Sequence, residues 1–281
     1  MSYLEVKNLF FSYGDSDVFS DESFSVDEGQ IFCLVGPNGC GKTTLQHCIL
    51  GYLKPDQGEI LIDGRPLESY SARKLAAEIA YVPQNHTRSF PYRVIDVVAM
   101  GQIRKKRQFS SDSYMLEAAH EILKKLEIDH LEEKEYTALS GGELQMVMVA
   151  RALCQDSRVL ILDEPSAHLD VKRTQNILLL LTKIAKEDKK IILMSTHDFN
   201  HPLLFEDEGA DVRMALMHNG SFSESGRPGE ILSGGCLDEL YGINSRIVEI
   251  DADKKRHYLA TWNSNSQRRI QNENKKYTEQ P

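Results

Sequence analysis

Two stretches of this sequence bring together groups that act on phosphate. Gly36-Pro37-Asn38-Gly39-Cys40-Gly41-Lys42-Thr43 fits the pattern G-x-x-x-x-G-K-[ST] at every place,. Its glycines let the backbone curl so that successive N–H groups face one anion. A helix starting at the lysine adds the positive end of its dipole. Lys42 supplies a point charge for the β- and γ-phosphates of a nucleotide, and Thr43 offers a hydroxyl to Mg2+,. Further on, the apolar run Val159-Leu160-Ile161-Leu162 ends in Asp163-Glu164-Pro165. Packing alone gives no reason to deliver two acids at the end of a buried strand. Asp163 suits a Mg2+ ion held through water, and Glu164 suits a general base that polarises an attacking water.

The flanking segments must hold these groups in place. Gln30 to Val35 is a short apolar run stopped by Gly36 and Pro37, as a buried central strand requires,. A helix from Lys42 reaches about Leu50 before Gly51 ends it,. The glycine loop therefore lies between a strand and a helix, which separates it from a chance glycine-rich turn. Tyr3 to Lys7 alternates at period two and Glu59 to Ile62 reads as another strand, so the first 65 residues are β-rich,. From about Pro91 to Leu153 the pattern is helical, clearest over Tyr114 to Leu126. A strand at Val159–Leu162, a helix over 172–186 and a strand over 190–194 then alternate. Such alternation predicts a largely parallel sheet with the helical middle inserted into it.

Leu139-Ser140-Gly141-Gly142-Glu143 precedes a predicted helix and lies upstream of Asp163. This segment resembles the signature of ABC-type ATPases, commonly Leu-Ser-Gly-Gly-Gln with Glu as a frequent variant. Over residues 2 to about 250 the family's other motifs occur in its order. Tyr13 matches the aromatic that stacks on adenine. Gln84, in Tyr81-Val82-Pro83-Gln84-Asn85, matches the glutamine loop. Ser166-Ala167-His168-Leu169-Asp170 matches the D-loop, and His197 the switch histidine. The resemblance implies an α/β fold, the P-loop NTPase cassette of that family. Its parts are a mostly parallel sheet core, an N-terminal antiparallel β-subdomain and an inserted helical subdomain at about 90–153. It also implies an ATPase whose substrate is ATP with Mg2+. ATP would be held by Tyr13, the loop from Gly36 to Thr43 and Thr44; Mg2+ by Thr43, Gln84 and Asp163. Glu164, His197 and Gln84 would serve hydrolysis. The signature is a second helix N-terminus behind a serine hydroxyl, hence another anion site. In the family, Ser140 and Gly142 of one subunit meet the γ-phosphate held by Lys42 of the other, so two ATP molecules are buried in a head-to-tail pair.

Within the family, the chain resembles the uptake branch that serves iron-siderophore, haem and cobalamin, and in some members oxyanions. The carrying residues are Tyr81 to Asn85, Phe90-Pro91-Tyr92, Val94 to Val98 with Met100-Gly101, and the short ending Leu240-Tyr241-Gly242-Ile243. Leu144 and Gln102 stand where that branch often has Arg, which bears on the ligand and not on the ATPase. The partners implied are a second cassette, expected to be an identical copy, an integral membrane permease, and indirectly a substrate-binding protein. The expected place is the cytoplasmic face of the cell membrane, as a peripheral subunit. An exporter subunit differs mainly in the loop after Gln84. A DNA-maintenance ATPase needs a long coiled coil between Lys42 and Ser140, where there is no room. A ribosome-associated ABC protein needs two cassettes in one chain and a basic linker.

Composition agrees with these exclusions. A formal net charge of −9 argues against nucleic acid as a partner, because the phosphate backbone rewards clustered positive charge,. No run approaches the roughly 18 apolar residues of a membrane span, and the first residues carry no leader pattern. The five cysteines lack Cys-x-x-Cys spacing and read as reduced thiols,. Cys40 reads as a spectator, pointing away from the loop, with some sensitivity to thiol reagents. His197 and His201 have the spacing of a helical zinc pair, but Pro202 comes next and no third ligand is evident, so His201 reads as structural,. Leu232-Ser233-Gly234-Gly235 imitates the signature; with Cys236 next and no acidic strand after it, it reads as a turn before a short helix. Residues 251–281 read as a polar, basic tail behind an ATPase domain over 2–250, loosely ordered after about Trp262,. The basic run Arg104-Lys105-Lys106-Arg107 is read in two ways, as a solvated charge run or as a face toward an anionic leaflet,.

Overall fold

A computed structural model of the chain describes residues 2–86, 90–102, 112–167, 169–233, 236–251 and 256–263. The alternation read at the start of the sequence becomes β1 (Leu4–Tyr13), buried at Leu4 and Val6 and again at Leu9 and Phe11, with a register shift between the two pairs,. It pairs antiparallel with β2 (Ser16–Val26), from Leu4 opposite Val26 to Tyr13 opposite Ser16. The apolar run β3 (Gln30–Val35) is buried throughout and feeds the glycine loop and α1 (Lys42–Ile49). β4 (Gln57–Ile62) and the two-residue β5 (Arg65–Pro66) return to the first sheet, whose order is β2-β1-β4-β5. α2 (Ala72–Glu78), capped by the Ser71 side chain, leads into β6 (Ile79–Val82),.

The helical middle holds α3 (Val94–Ala99), α4 (Asp112–Lys125) and α5 (Gly141–Cys154). Val94 and Val98 of α3, Ala119 and Leu123 of α4, and Val147 to Ala150 of α5 are buried in one core cluster. β7 (Val159–Asp163), α6 (Val171–Asp188), β8 (Ile191–Thr196), α7 (Asn200–Asp207), β9 (Asp211–His218) and β10 (Ser221–Gly226) complete the alternation. Two short helices come next, α8 (Pro228–Ser233) and α9 (Cys236–Tyr241), then β11 (Ile243–Asp251) and β12 (Arg256–Asn263).

The second sheet has the order β10-β9-β3-β8-β7-β6. Strands β9 through β6 are all parallel, and only β10 runs antiparallel, at the edge. β3, β7 and β8 expose nothing, because helices cover one face of the sheet and the antiparallel sheet with α1 covers the other,. Every parallel strand therefore ends on the same edge of the sheet, and the loops leaving β3, β8, β7 and β6 gather there.

Two expectations change. The boundary at residue 250 cuts through an antiparallel hairpin, in which Ile243 opposes Asn263 and Val248 opposes Tyr258. β12 was hidden because, of its described side chains, only Leu259 is buried, so it shows no apolar stripe. Cys40 does not point outward. It is buried, with its Sγ 4.0 Å from Lys42 Nζ, and burial pushes its thiol up against the opposing charge of Lys42,. The basic run Arg104–Arg107, His168, Gly234, Gly235 and the chain after 263 lie outside the described residues.

One polar group is buried where the two sheets meet. Glu22 of β2 is 2 % exposed, and its Oε1 accepts from the Phe222 N–H of β10 at 2.9 Å. Burial pushes its carboxyl up from 4.5 to about 7, opposed by that hydrogen bond, with Asp21 adding repulsion,. A folded value above the unfolded one means that neutral Glu22 suits the fold. Its contribution to stability is complete below about pH 4.5 and is lost as pH rises through about 7,. Glu22→Gln keeps the acceptor and abolishes the titration. At pH 8 it should exceed wild type in denaturant stability by up to roughly 3 kcal/mol. The gap should close at pH 4.5, and a wild type that is the more stable at pH 8 would show a satisfied carboxylate.

Candidate functional site

The glycine loop is tightly built. A Cβ at Gly36 would sit 2.2 Å from the Met217 carbonyl oxygen, so only glycine passes β9 there,. Gly41 has φ 106° and turns the chain into α1. Lys42 is 5 % exposed, and its Nζ donates to the carbonyls of Gly36 at 2.8 Å and Pro37 at 2.9 Å. The same ammonium lies 3.8 Å from Glu164 Oε1. Next to it, the Thr43 hydroxyl donates to Asp163 Oδ2 at 2.8 Å, joining the loop to the end of β7.

Glu164 is the meeting point. It is buried and takes φ 47°, a left-handed conformation that few side chains adopt,. Gln84, just beyond β6, donates from Nε2 to Glu164 Oε2 at 3.0 Å. His197, just beyond β8, places Nδ1 3.3 Å from the same oxygen. Lysine, glutamine and histidine thus reach one carboxylate from the connections that leave three strands. Their charge and donors are the partners a buried carboxylate needs. The His197 side chain is mostly exposed, at 62 %.

A cleft of about 450 Å³ opens over these groups. Its walls include Asn38, Gly39, Gly41 and Lys42 of the loop, with Thr43 and Thr44 at the helix start. Gln84 and Glu164 face it from one side, and Tyr13 and Val18 of the antiparallel sheet from the other. Tyr13 is 56 % exposed, supported edge-on by Phe11 with ring centroids 4.9 Å apart. Gly36, Pro37, Cys40, Asp163 and His197 are not part of this lining.

The signature is elsewhere. Ser140 caps α5 with a capping box: its Oγ accepts from Glu143 N–H at 3.3 Å and Glu143 Oε2 accepts from Ser140 N–H at 2.8 Å,. These hydrogen bonds and Lys134 at 3.1 Å hold the Glu143 carboxyl down at about 2. Leu139, Ser140, Gly141, Gly142 and Glu143 do not line the cleft. Asp170 caps α6, accepting from Arg173 N–H at 2.8 Å, and is also apart from it. His201 is buried, with Nδ1 2.9 Å from Thr196 Oγ1, and does not join His197 in a metal pair. Among the described residues no group of His, Cys, Asp or Glu is arranged to hold a metal alone, and no helix is long and apolar enough to cross a membrane.

Sequence reasoning missed Ser195. It is fully buried at the end of β8, donates to Asp163 Oδ1 and accepts from the Glu164 N–H at 3.0 Å. It orients both acids at once. The available signal was a serine that breaks an apolar strand just before His197.

Comparison with known proteins matches this arrangement. The family model described as ABC transporter matches residues 19–167, and the chain belongs to that family. It is an ATPase, the ATP-binding subunit of an ABC transporter. The hemin import ATP-binding protein HmuV of Thermobifida fusca is 32% identical over 87% of this chain and 84% of its own. The petrobactin import ATP-binding protein YclP of Bacillus subtilis is 28% identical over 88% and 96%. An inward-facing metal-chelate type ABC transporter shares 28% identity, with a TM-score of 0.76 over 93% of this chain and 97% of that one.

Lys42→Ala removes the charge at the centre of the cleft. ATP affinity should fall roughly 10–100-fold in a binding titration, the range of a lost charge-assisted hydrogen bond, and hydrolysis should be abolished. Ser195→Ala leaves the buried Glu164 N–H without its acceptor. It should cost about 1–3 kcal/mol of stability in a denaturant melt and lower kcat more than it changes KM for ATP.

Proposed function

We propose that this subunit powers uptake of a metal chelate, of the iron-siderophore, haem or cobalamin kind, through a membrane permease. It works as a pair of identical cassettes on the cytoplasmic face of the membrane. The observation that carries the coupling concerns Gln84. Its neighbours Pro83 and His86 line a groove of about 790 Å³, together with Tyr52, Tyr81, Met148 and Arg151. Gln84 itself lines the nucleotide cleft and holds Glu164. Anything seated in the groove therefore bears on the segment that grips Glu164. Apolar and aromatic walls with a few polar ends suit a short amphipathic helix from a permease loop. The chelate class is supported by the relatives named for hemin and petrobactin import and by the metal-chelate type neighbour. A substrate-binding protein would hand over the chelate on the far side of the membrane.

In this reading Tyr13 stacks on adenine, while the loop N–H groups and Lys42 take the phosphate oxygens in place of the Gly36 and Pro37 carbonyls. The Glu164 carboxylate accepts a proton from the water that attacks the γ-phosphorus, and ADP leaves. His197 steadies that carboxylate and contacts the γ-phosphate. The Thr43 hydroxyl, the Asp163 carboxylate and the Gln84 amide oxygen are hard oxygen donors of the kind Mg2+ takes beside phosphates. Mg2+ there would supply neutralising charge. The signature from Leu139 to Glu143 serves the partner cassette's nucleotide, since it lies outside the cleft of its own chain. Asp170 belongs to the same seam. A dimeric cassette bound to ADP and Pi, 26% identical with a TM-score of 0.72 over 80% of this chain and 98% of that one, supports such pairing.

Glu164→Gln keeps the shape of the base and cannot take the proton. Hydrolysis should drop at least about 100-fold, and size exclusion in Mg-ATP should show a stable dimer. Adding Ser140→Arg should return that dimer to monomer. A Glu164→Gln protein that stays monomeric in ATP would remove the head-to-tail pairing. In liposomes holding the permease, chelate-loaded binding protein should raise the ATPase rate; ligand-driven turnover with outward movement would make the complex an exporter.

A further inference from the structure

The loop that carries His197 is stitched to itself by short polar contacts. The Asp198 N–H donates to Thr196 Oγ1 at 3.1 Å. Asp198 Oδ1 accepts from Asn200 N–H at 2.8 Å and from Asn200 Nδ2 at 3.1 Å. Two further contacts come from later in the chain. Asn200 Oδ1 accepts from the Leu259 N–H of β12 at 2.7 Å. The Phe199 ring meets the Tyr241 ring, which closes α9, with centroids 5.9 Å apart at 61°. At the far end of α7, Asp207 Oδ2 accepts from the His257 N–H at 2.7 Å, and its Oδ1 lies 2.7 Å from His257 Nδ1. β12 thus grips α7 at both ends.

Packing explains little of this. Of the described side chains in β12, only Leu259 is buried, in the cluster that also holds Leu203 and Phe205 of α7. An isolated hairpin is marginal in water, so these side-chain bonds matter to its docking. His197, in turn, is mostly exposed, and its approach to Glu164 must be set by its backbone. We propose that Asn200 is a positioning residue for hydrolysis, through which the β11–β12 hairpin fixes the 197–199 loop and holds the His197 imidazole against Glu164. The proposal rests on the reading of Glu164 as general base.

The experiment uses the full chain with Asn200→Ala, His257→Ala and Glu164→Gln. ATPase kinetics, nucleotide affinity and melting temperature are measured for each. The His197 imidazole resonance is tracked in histidine-labelled protein, assigned with His197→Gln. Asn200→Ala should lower kcat roughly 10–100-fold, the effect of a small misplacement of a reacting group. KM for ATP should be unchanged and the His197 resonance should move. His257→Ala, more distant from the site, should act in the same direction by roughly two- to fivefold. Wild-type kcat and an unmoved His197 resonance in Asn200→Ala would overturn the proposal. So would losses of kcat and affinity that simply track a fallen melting temperature. Normal hydrolysis by Glu164→Gln would instead overturn the underlying reading, whatever Asn200→Ala does.

Discussion

A buried carboxylate that must be satisfied organises this molecule. Glu164 sits at the end of a strand with no exposed residue, where an unpaired charge would cost several kcal/mol,. Lys42, Gln84 and His197 surround it, each contributed by the connection that leaves a different strand. Their convergence is a consequence of the parallel sheet, since strands that all run one way finish on one edge,. The left-handed backbone at Glu164 is the local strain this edge carries,. Lys42 is in the same position. Its charge lies inside the fold on two carbonyls of its own loop, so phosphate oxygens would replace existing partners and not water,.

The separation of the signature from the cleft has a physical meaning of its own. α1 starts behind Gly41 with no side-chain cap, whereas α5 starts behind Ser140 and its cap is closed by Glu143. An acidic side chain at an anion site would oppose a phosphate; here Lys134 and the Ser140 N–H draw the carboxylate into the cap,. Glu143 therefore presents its carboxylate to Ser140 and Lys134 within the cap.

The features legible in the sequence are those that sequence neighbours make by themselves. The glycine loop is one continuous stretch whose chemistry and geometry are fixed within eight residues, and Asp163-Glu164 come directly after an apolar strand. Tyr13, Gln84 and His197 were singled out only through resemblance, because nothing local marks such a residue as special. Ser195 was missed since its partners Asp163 and Glu164 lie on the neighbouring strand, more than thirty residues away in the chain. β12 was missed for a related reason. Its anchors are backbone N–H groups bonded to Asn200 and Asp207, and backbone donors leave no trace in composition,. The buried Cys40 shows the opposite failure, where a general rule about loop side chains gave way to the space left by Gly36.

These long-range contacts make the cassette a coupled object. The segment from Pro83 to His86 touches the groove on one side and, through Gln84, the carboxylate on the other. The loop from His197 to Asn200 touches the same carboxylate and is held from behind by the last described strand. A shift of either segment changes the donors around Glu164, and a change at Glu164 acts back on both. Coupling of this kind is reciprocal in free energy. A partner that fills the groove and thereby favours the closed cleft must itself bind more tightly when nucleotide is present, by the same factor. For any such partner, nucleotide would regulate the grip on the groove as much as the groove regulates the nucleotide.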